Sequence, residues 1–384
     1  MACVICNSKS LEKLESPMHN RMVIGDHRIF EGGGVKRVIC QNCGSIQTLQ
    51  DEDYKRKISR VYQNYQPTDV KCYSYGENRQ FTSPRLQTVC QKVVASCSLP
   101  SKGRALDIGC SQGEWLDYFN QLLPDWNLYG LDICEHFRDF VLNRKRVQGF
   151  FSSIDEVKRS GVKFDFISIN YTLCACDNMM DILNCVHEIL EDNGVVFIID
   201  TDFEVHPYQL NVIEHIVYFN QSTLYSLLAR TGLEILDIDF EHEKKEIWAF
   251  AKKSTEKNDS NLYEYNKRKY DECRVYLNRV TDTIERYIKD AYEIGIFGTA
   301  NAAIWVLEII RQYDSLVLGK NIFFVDENEE IIKNKKCIGG NQIYCVDNIP
   351  ENAIVFLPFP NYIADNIMER YEKKYPRVKF VAFE

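Results

Sequence analysis

No run in the 384-residue chain approaches the roughly 18 consecutive apolar residues needed to cross a bilayer. The first thirty residues include His, Arg, Asp and Asn and no apolar h-region, so the pattern of a signal peptide is missing. Positive charge is short as well. Lys plus Arg number 46 against 55 Asp plus Glu, a formal net charge of −9, whereas phosphate-backbone binding needs clustered cations. Internal repeats and low-complexity tracts are absent. These gaps set aside membrane-spanning, secreted and disordered readings. They lead us to expect a cytoplasmic globular protein with neither a membrane nor a nucleic acid as partner.

Cysteine, by contrast, is plentiful, and its count of 15 is odd. Most cysteines stand singly in apolar segments, as do Cys90, Cys97, Cys134, Cys185 and Cys273, and such residues behave as small buried hydrophobes. Four are arranged differently: Cys3 and Cys6 form one C-x-x-C, Cys40 and Cys43 another. Each motif brings two thiolates onto a tight turn, so the pair of turns can close an S₄ shell around zinc or another thiophilic metal. Four thiolates leave no open coordination position, which makes this a structural metal site. A redox role would prefer one C-x-x-C at a strand–helix junction, a setting neither pair has.

At roughly 100–200 residues per domain the length suggests two or three domains, and the pattern divides accordingly. Residues 1–60 read as short extended pieces between the cysteine knuckles, with Gly32-Gly33-Gly34 as a turn. Residues 61–85 form a connector rich in Tyr62, Tyr65, Tyr73 and Tyr75, a candidate lid or packing segment. From 86 to 252 strands and helices alternate: helix 86–97, strand 104–108, helix 113–123, strand 128–133, helix 135–145, strand 164–169, helix 179–190, strand 194–199, helix 221–231, and strands near 233–240 and 246–252. Such alternation predicts a doubly wound parallel sheet. Residues 253–384 supply a polar linker, a long helix over 262–292, and a smaller alternating unit with strands at 295–297, 322–325, 353–357 and 378–382.

The segment Leu106-Asp107-Ile108-Gly109-Cys110-Ser111-Gln112-Gly113-Glu114 joins the first strand of the central block to a helix. Its glycines let the backbone approach a ligand closely. Gly109-x-x-x-Gly113 is not the dinucleotide fingerprint G-x-G-x-x-G. The next strand ends in Gly130-Leu131-Asp132, an acidic position able to grip both hydroxyls of a ribose. This block resembles the class I S-adenosylmethionine-dependent methyltransferases. The resemblance implies a Rossmann-like domain in which Asp107, Gly109, Ser111 and Gly113 lie against the methionine part of the donor and Asp132 holds the ribose. It also implies that Phe151, Ser152 and Ser153 border the adenine, with Asn170 and Tyr171 beneath the methyl donor. Many relatives carry Leu-Glu-His-Val after the fourth strand, where this chain has Leu173-Cys174-Ala175-Cys176.

Further on, Glu214-His215-Ile216-Val217-Tyr218 supplies a carboxylate, an imidazole and a phenol. With the cysteine module in front and the small α/β unit behind, the whole chain resembles the sugar C-methyltransferases that act on nucleotide-linked deoxysugars. The fold class expected is therefore α/β: a central class I methyltransferase domain, an N-terminal zinc-ribbon-like module and a small C-terminal α/β domain. The resemblance implies proton removal beside a sugar carbonyl. A carbon nucleophile needs a base of near-neutral pKa, and an enolate needs charge stabilisation. His215 could be that base, with Glu214 fixing its tautomer and Tyr218 donating to the enolate; substrate positioning and a structural role for the pair stay open. His206, after Asp200 and Asp202, faces the pocket side, while His187 reads as a packed helix residue.

The Gly298-Thr299-Ala300-Asn301 turn of the last block can hold a phosphate at its helix start or serve as packing alone. The expected cofactors are S-adenosylmethionine and structural zinc, the expected partner is a small nucleotide-sugar, and the expected state is monomer or homodimer. O- or N-methylation of a sugar or other polar metabolite is the alternative. A zinc-bearing ribosomal RNA methyltransferase is disfavoured by the acidic charge, and a non-catalytic binding protein is the rival from another class.

Overall fold

The computed structural model describes residues 1–63, 73–75, 81–236, 238, 243–335 and 337–383, without the side chains of 73–75, 81–83 and 334. Five short strands open the chain: β1 (Leu11–Leu14), β2 (Val23–Ile24), β3 (Arg28–Ile29), β4 (Arg37–Cys40) and β5 (Ile46–Thr48). β1, β4 and β5 form an antiparallel sheet that brings the cysteine turns together. The extended reading of residues 1–60 fails at its end. Helix α1 (Glu52–Gln63) follows directly, burying only Tyr54 and Val61. With Ile58 packed beside them, the apolar positions fall four and three residues apart, a helical stripe that an extended reading of the segment misses. Tyr62 lies on α1; Tyr65 and the side chains of Tyr73 and Tyr75 lie outside the described residues. A hairpin, β6 (Tyr73–Tyr75) with β7 (Phe81–Pro84), leads to α2 (Arg85–Ser96).

The central block is a seven-stranded mixed sheet. Its elements in chain order are β8 (Arg104–Ile108), α3 (Glu114–Leu122), β9 (Asn127–Leu131), α4 (Arg138–Leu142), β10 (Val147–Phe151), α5 (Ile154–Ser160), β11 (Phe164–Asn170), α6 (Met179–Ile189) and β12 (Leu190–Thr201). After β13 (Val217–Tyr218) come α7 (Gln221–Arg230), β14 (Leu233–Ile235) and β15 (Glu246–Lys253). The strand order is β10-β9-β8-β11-β12-β15-β14, parallel except that β15 runs antiparallel to both neighbours. Alternate residues point to opposite faces: Leu106, Ile108, Ile167 and Ile169 enter one core, and Ala105, Phe166, Phe197 and Ile199 the other. Both faces are covered, so these strands are continuously apolar. The strand expected over 128–133 stops at Leu131, because the Asp132 carboxylate turns back to bond the Cys134 N–H. The helix expected over 135–145 shrinks to a 3₁₀ turn and α4.

Helix α8 (Tyr263–Ile288) buries Tyr270, Cys273, Leu277, Val280, Ile284 and Ile288, a stripe of three- and four-residue steps. A second sheet follows: β16 (Glu293–Phe297), α9 (Asn301–Arg311), α10 (Asp314–Val317), β17 (Asn321–Asp326), α11 (Glu329–Asn334), β18 (Cys337–Ile338), β19 (Asn341–Cys345), β20 (Ile354–Leu357), α12 (Asn361–Tyr371) and β21 (Lys379–Ala382). Its order is β18-β19-β17-β16-β20-β21. Gly339-Gly340 make the tight turn of a β18–β19 hairpin, with both glycines at positive φ. Among the described residues no helix is long and apolar enough to cross a membrane.

Candidate active site

At the carboxyl end of β8 the chain turns sharply through Gly109 (φ 79°), Ser111 (φ 48°) and Gly113 (φ 82°) into α3. A Cβ on Gly109 would lie 2.1 Å from Thr172 Oγ1, so glycine is required by both conformation and space. The turn is tied to the neighbouring strand: the N–H groups of Gly109 and Cys110 donate to Leu131 O at 2.8 and 3.0 Å. Asp132 stands beside it. Its Oδ2 accepts from Ser111 N at 2.8 Å and its Oδ1 from Cys134 N at 2.9 Å, which fixes the carboxylate at the rim while each oxygen keeps a lone pair. Ile133, 72% exposed, offers an apolar surface next to it.

Asp107 is buried beneath the turn and accepts from Ser168 Oγ at 2.8 Å and Asn170 Nδ2 at 3.1 Å. Burial pushes its carboxyl up to about 7. Asn170 Oδ1 is buried with no partner, an orphaned acceptor at the end of β11. Tyr171 follows at φ 50°; its N–H donates to Ile199 O at 2.8 Å and its hydroxyl to Glu246 Oε1 at 2.7 Å. Thus Asp107, Gly109, Ser111, Gly113, Asp132, Asn170 and Tyr171 converge on one rim of the sheet. Ser152 and Ser153 lie just past β10 and are engaged in starting α5. Ser152 N and Oγ donate to Glu156, whose own N–H donates to Ser153 Oγ at 3.3 Å, a reciprocal cap.

The second element is anchored far from where its sequence neighbours suggest. Val217–Tyr218 adds a strand to the cysteine-bearing sheet by pairing with β5. Thr48 is the hub. Its N–H donates to Ile216 O at 2.9 Å, and its hydroxyl donates to His215 O at 2.7 Å. The one Thr48 proton being used, the Tyr218 hydroxyl donates to Thr48 Oγ1, at 2.9 Å. Arg37, fully buried, lies 5.4 Å from the Tyr218 ring centroid and donates to Leu210 O. On the other side, Ile216 N donates to Cys174 O at 2.7 Å, which seats the element beside the corner after β11.

Glu214 does not orient the His215 ring: its Oε1 accepts from Gly25 N at 2.8 Å, and its Oε2 has no partner. Glu214 sits in a turn closed by His215 N on Val212 O at 3.4 Å, and its side chain leaves toward Gly25. Burial raises the Glu214 carboxyl to about 7 and lowers the His215 ring to about 4. Cys174 and Cys176 are pushed up by burial, so neither is a ready thiolate. His187 is a packed residue, its Nε2 3.1 Å from Ser254 O. Thr48, Arg37, Arg85 and Glu246 carry the element or the rim but were not singled out from sequence. A charged residue directly before an apolar run, as Arg37 and Glu246 are, is the signal in the sequence.

The four cysteines Cys3, Cys6, Cys40 and Cys43 place their sulfurs within 4.8 Å of one another, with Cys3–Cys43 at 3.6 Å and Cys6–Cys40 at 3.5 Å. A tetrahedral zinc–thiolate shell with bonds of about 2.3 Å needs sulfurs about 3.8 Å apart, so this donor set fits a metal. Each knuckle is followed by a left-handed residue, Asn7 and Gly44. The Gly44 turn packs on the start of α8, where a Cβ would lie 2.3 Å from Leu262 C.

Between the two large sheets a cavity of about 350 Å³ is lined by Glu204, Pro207, Lys269, Tyr276, Asn361 and Tyr362 among others. His206 adjoins it in sequence, its Nδ1 without a partner. In the second sheet Gly298 (φ 84°) packs on Phe359, and Thr299 donates to Asp326 at 3.0 Å.

Residues 80–238 match the family model described as "Methyltransferase domain". The tRNA (guanine-N(7)-)-methyltransferase of Prochlorococcus marinus (strain NATL2A) is 24% identical over 151 residues, 32% of this chain and 66% of that protein. A methyltransferase of calicheamicin biosynthesis, solved with SAH bound, superposes at a TM-score of 0.35 and 15% identity, over 44% of this chain and 54% of that one. The plantazolicin methyltransferase in complex with SAH gives 0.37 and 16%, over 44% and 82%. The TehB-like SAM-dependent methyltransferase of Corynebacterium glutamicum gives 0.35 and 15%, over 53% and 97%. This chain therefore spans 66% of the curated relative and 54% of the calicheamicin enzyme. With its mixed seven-stranded sheet, its glycine corner and the acidic residue closing the second strand, the block at residues 80–238 is a methyltransferase domain of the S-adenosylmethionine-dependent class.

Proposed function

We propose that the chain methylates a carbon of a nucleotide-linked or glycan-precursor sugar, after removing a proton next to a keto group. S-adenosylmethionine, when bound, supplies the methyl group. Asp132 would hold its ribose and the Gly109–Gly113 corner its methionine part, and the orphaned Asn170 Oδ1 fits a donor that carries an ammonium group. The cavity beside Glu204, Lys269 and Tyr362 would admit the sugar from the side of the second sheet, whose Gly298–Asn301 turn would meet the nucleotide. Zinc on the four cysteines would hold the N-terminal sheet in shape.

One observation supports the reading: the Glu214–His215–Tyr218 element is built into the cysteine-bearing sheet, and Ile216 within it bonds the corner after β11, next to the proposed donor rim. Burial keeps His215 neutral and raises the Glu214 carboxyl toward neutral pH, which makes Glu214 the better matched proton acceptor of the two. The depressed basicity of His215 favours a second reading, N- or O-methylation, in which the pair only positions a nucleophile. Incubation with methyl-labelled donor, a panel of keto nucleotide-sugars and deuterated water separates them. Deuterium wash-in beside the carbonyl, followed by a carbon-bound methyl, supports C-methylation; a methoxy or N-methyl product without wash-in removes it.

A further inference from the structure

The carboxylate of Glu246 gathers donors from two distant segments and from its own strand. Oε1 accepts the Tyr171 hydroxyl at 2.7 Å and Arg85 Nε at 3.3 Å; Oε2 accepts the Trp248 indole N–H at 3.1 Å and Arg85 Nη2. Glu246 is 7% exposed, and the Arg85 guanidinium, itself mostly buried, lies 5.6 Å from the Trp248 ring centroid. Burial opposes the charge, yet Arg85 holds the carboxyl below the usual value.

The place of this cluster matters. β15 runs antiparallel, so its first residue, Glu246, pairs with Thr201 at the rim where the parallel strands end. That rim carries Asp107, Asp132 and Asn170. Tyr171 sits there in the left-handed region, where a non-glycine residue is held only by its surroundings. Its neighbour Thr172 faces Gly109, so any relaxation of Tyr171 would move the glycine corner. Arg85 is the first residue of α2, so the same carboxylate also fixes the point where the connector enters the domain.

We infer that Glu246 is a positioning residue of the donor site, holding Tyr171 in its corner and clamping Arg85 so that the rim is set before S-adenosylmethionine arrives. The inference rests on the donor site proposed above. Calorimetric titration of S-adenosylhomocysteine into metal-replete full-length chain tests it with Tyr171→Phe, Glu246→Gln and the double variant. Tyr171→Phe should weaken binding about tenfold, Glu246→Gln at least as much because it also loosens Arg85, and the double variant should be no weaker than Glu246→Gln, since both cut the same Tyr171 tether. A purely structural role would lower the unfolding temperature of unliganded protein and leave affinity unchanged. Wild-type affinity in Tyr171→Phe, or effects that multiply in the double variant, would overturn the inference. Should Glu246→Gln fail to fold, Tyr171→Phe alone decides. No binding by the wild type would remove the donor site and the inference together, whereas wild-type binding lost in Asp132→Ala keeps the site and leaves the tether to the Tyr171 result.

Discussion

The hydroxyls of Thr48 and Tyr218 meet at 2.9 Å, joining the last strand of the cysteine-bearing sheet to the element that carries Glu214 and His215. The same Thr48 side chain reaches the His215 carbonyl, so a residue 167 positions earlier in the chain sets that backbone.

Thr48→Val keeps the shape and removes both bonds, leaving buried polar groups unpaired at a cost of about 1–3 kcal/mol each. Methyl transfer to whichever keto nucleotide-sugar proves active should fall at least tenfold, while S-adenosylhomocysteine affinity stays within twofold. Thr48→Ser should restore most turnover. Equal losses of turnover and cofactor affinity would show that the two halves of the site are not separable in this way.

Asp132→Ala should lower S-adenosylhomocysteine affinity by about a hundredfold, the scale of losing a two-pronged charged hydrogen-bonding partner. The folded circular dichroism spectrum should persist, because Asp132 bonds only local N–H groups and leaves the strand ladder intact. Unchanged affinity would place the ribose elsewhere.

Metal analysis of freshly purified protein should find one zinc per chain. Chelation, or Cys40→Ser, should lower the unfolding temperature and speed amide exchange over residues 213–219, which the cysteine-bearing sheet holds through β5 and Thr48. Exchange confined to residues 1–50 would separate the metal from the Glu214–His215 element.

The pH dependence has a definite sign. Burial raises Asp107 and Glu214 to about 7 and Asp200 and Asp202 to about 6. The folded state thus binds more protons than the unfolded chain between about pH 4 and 7. These four groups contribute stability that is fully present below their ordinary values and is lost as pH rises through 6 to 7. Urea unfolding at pH 5 and pH 7.5 should show less of this fall in Asp107→Asn. Turnover carries a separate sign: if Glu214 accepts the proton, rate rises with pH about a midpoint near 7 and the rise vanishes in Glu214→Gln. A midpoint near 4 assigns the step to His215 instead.

Much of the architecture was readable from the residues because the signals were local and strong. Leu106–Glu114 announces a strand, a tight turn and the start of a helix in one short stretch, and the paired C-x-x-C motifs need only two turns to meet. The hidden parts are those set by distant partners. Val217–Tyr218 is a strand only because β5 is there to pair with it, and two residues show no periodicity of their own. Glu246 reads as a polar strand start until Arg85 and Tyr171 close on it from 161 and 75 positions away. Glu214 is adjacent to His215 in sequence, yet its carboxylate is turned to the Gly25 N–H, a partner 189 positions away that no local pattern announces.

The N-terminal segment contributes to both large cores. Met22, Ile24, Val35 and Cys40 pack with the central sheet, whereas Val23, Ile39 and Ile46 pack with α8 and the second sheet. It therefore acts as a keystone. Neither neighbour can finish burying its apolar surface until this segment has closed, so the three regions are expected to melt in one cooperative step. A shortened chain beginning after β5 would bare two greasy faces at once and should aggregate rather than persist as a smaller enzyme.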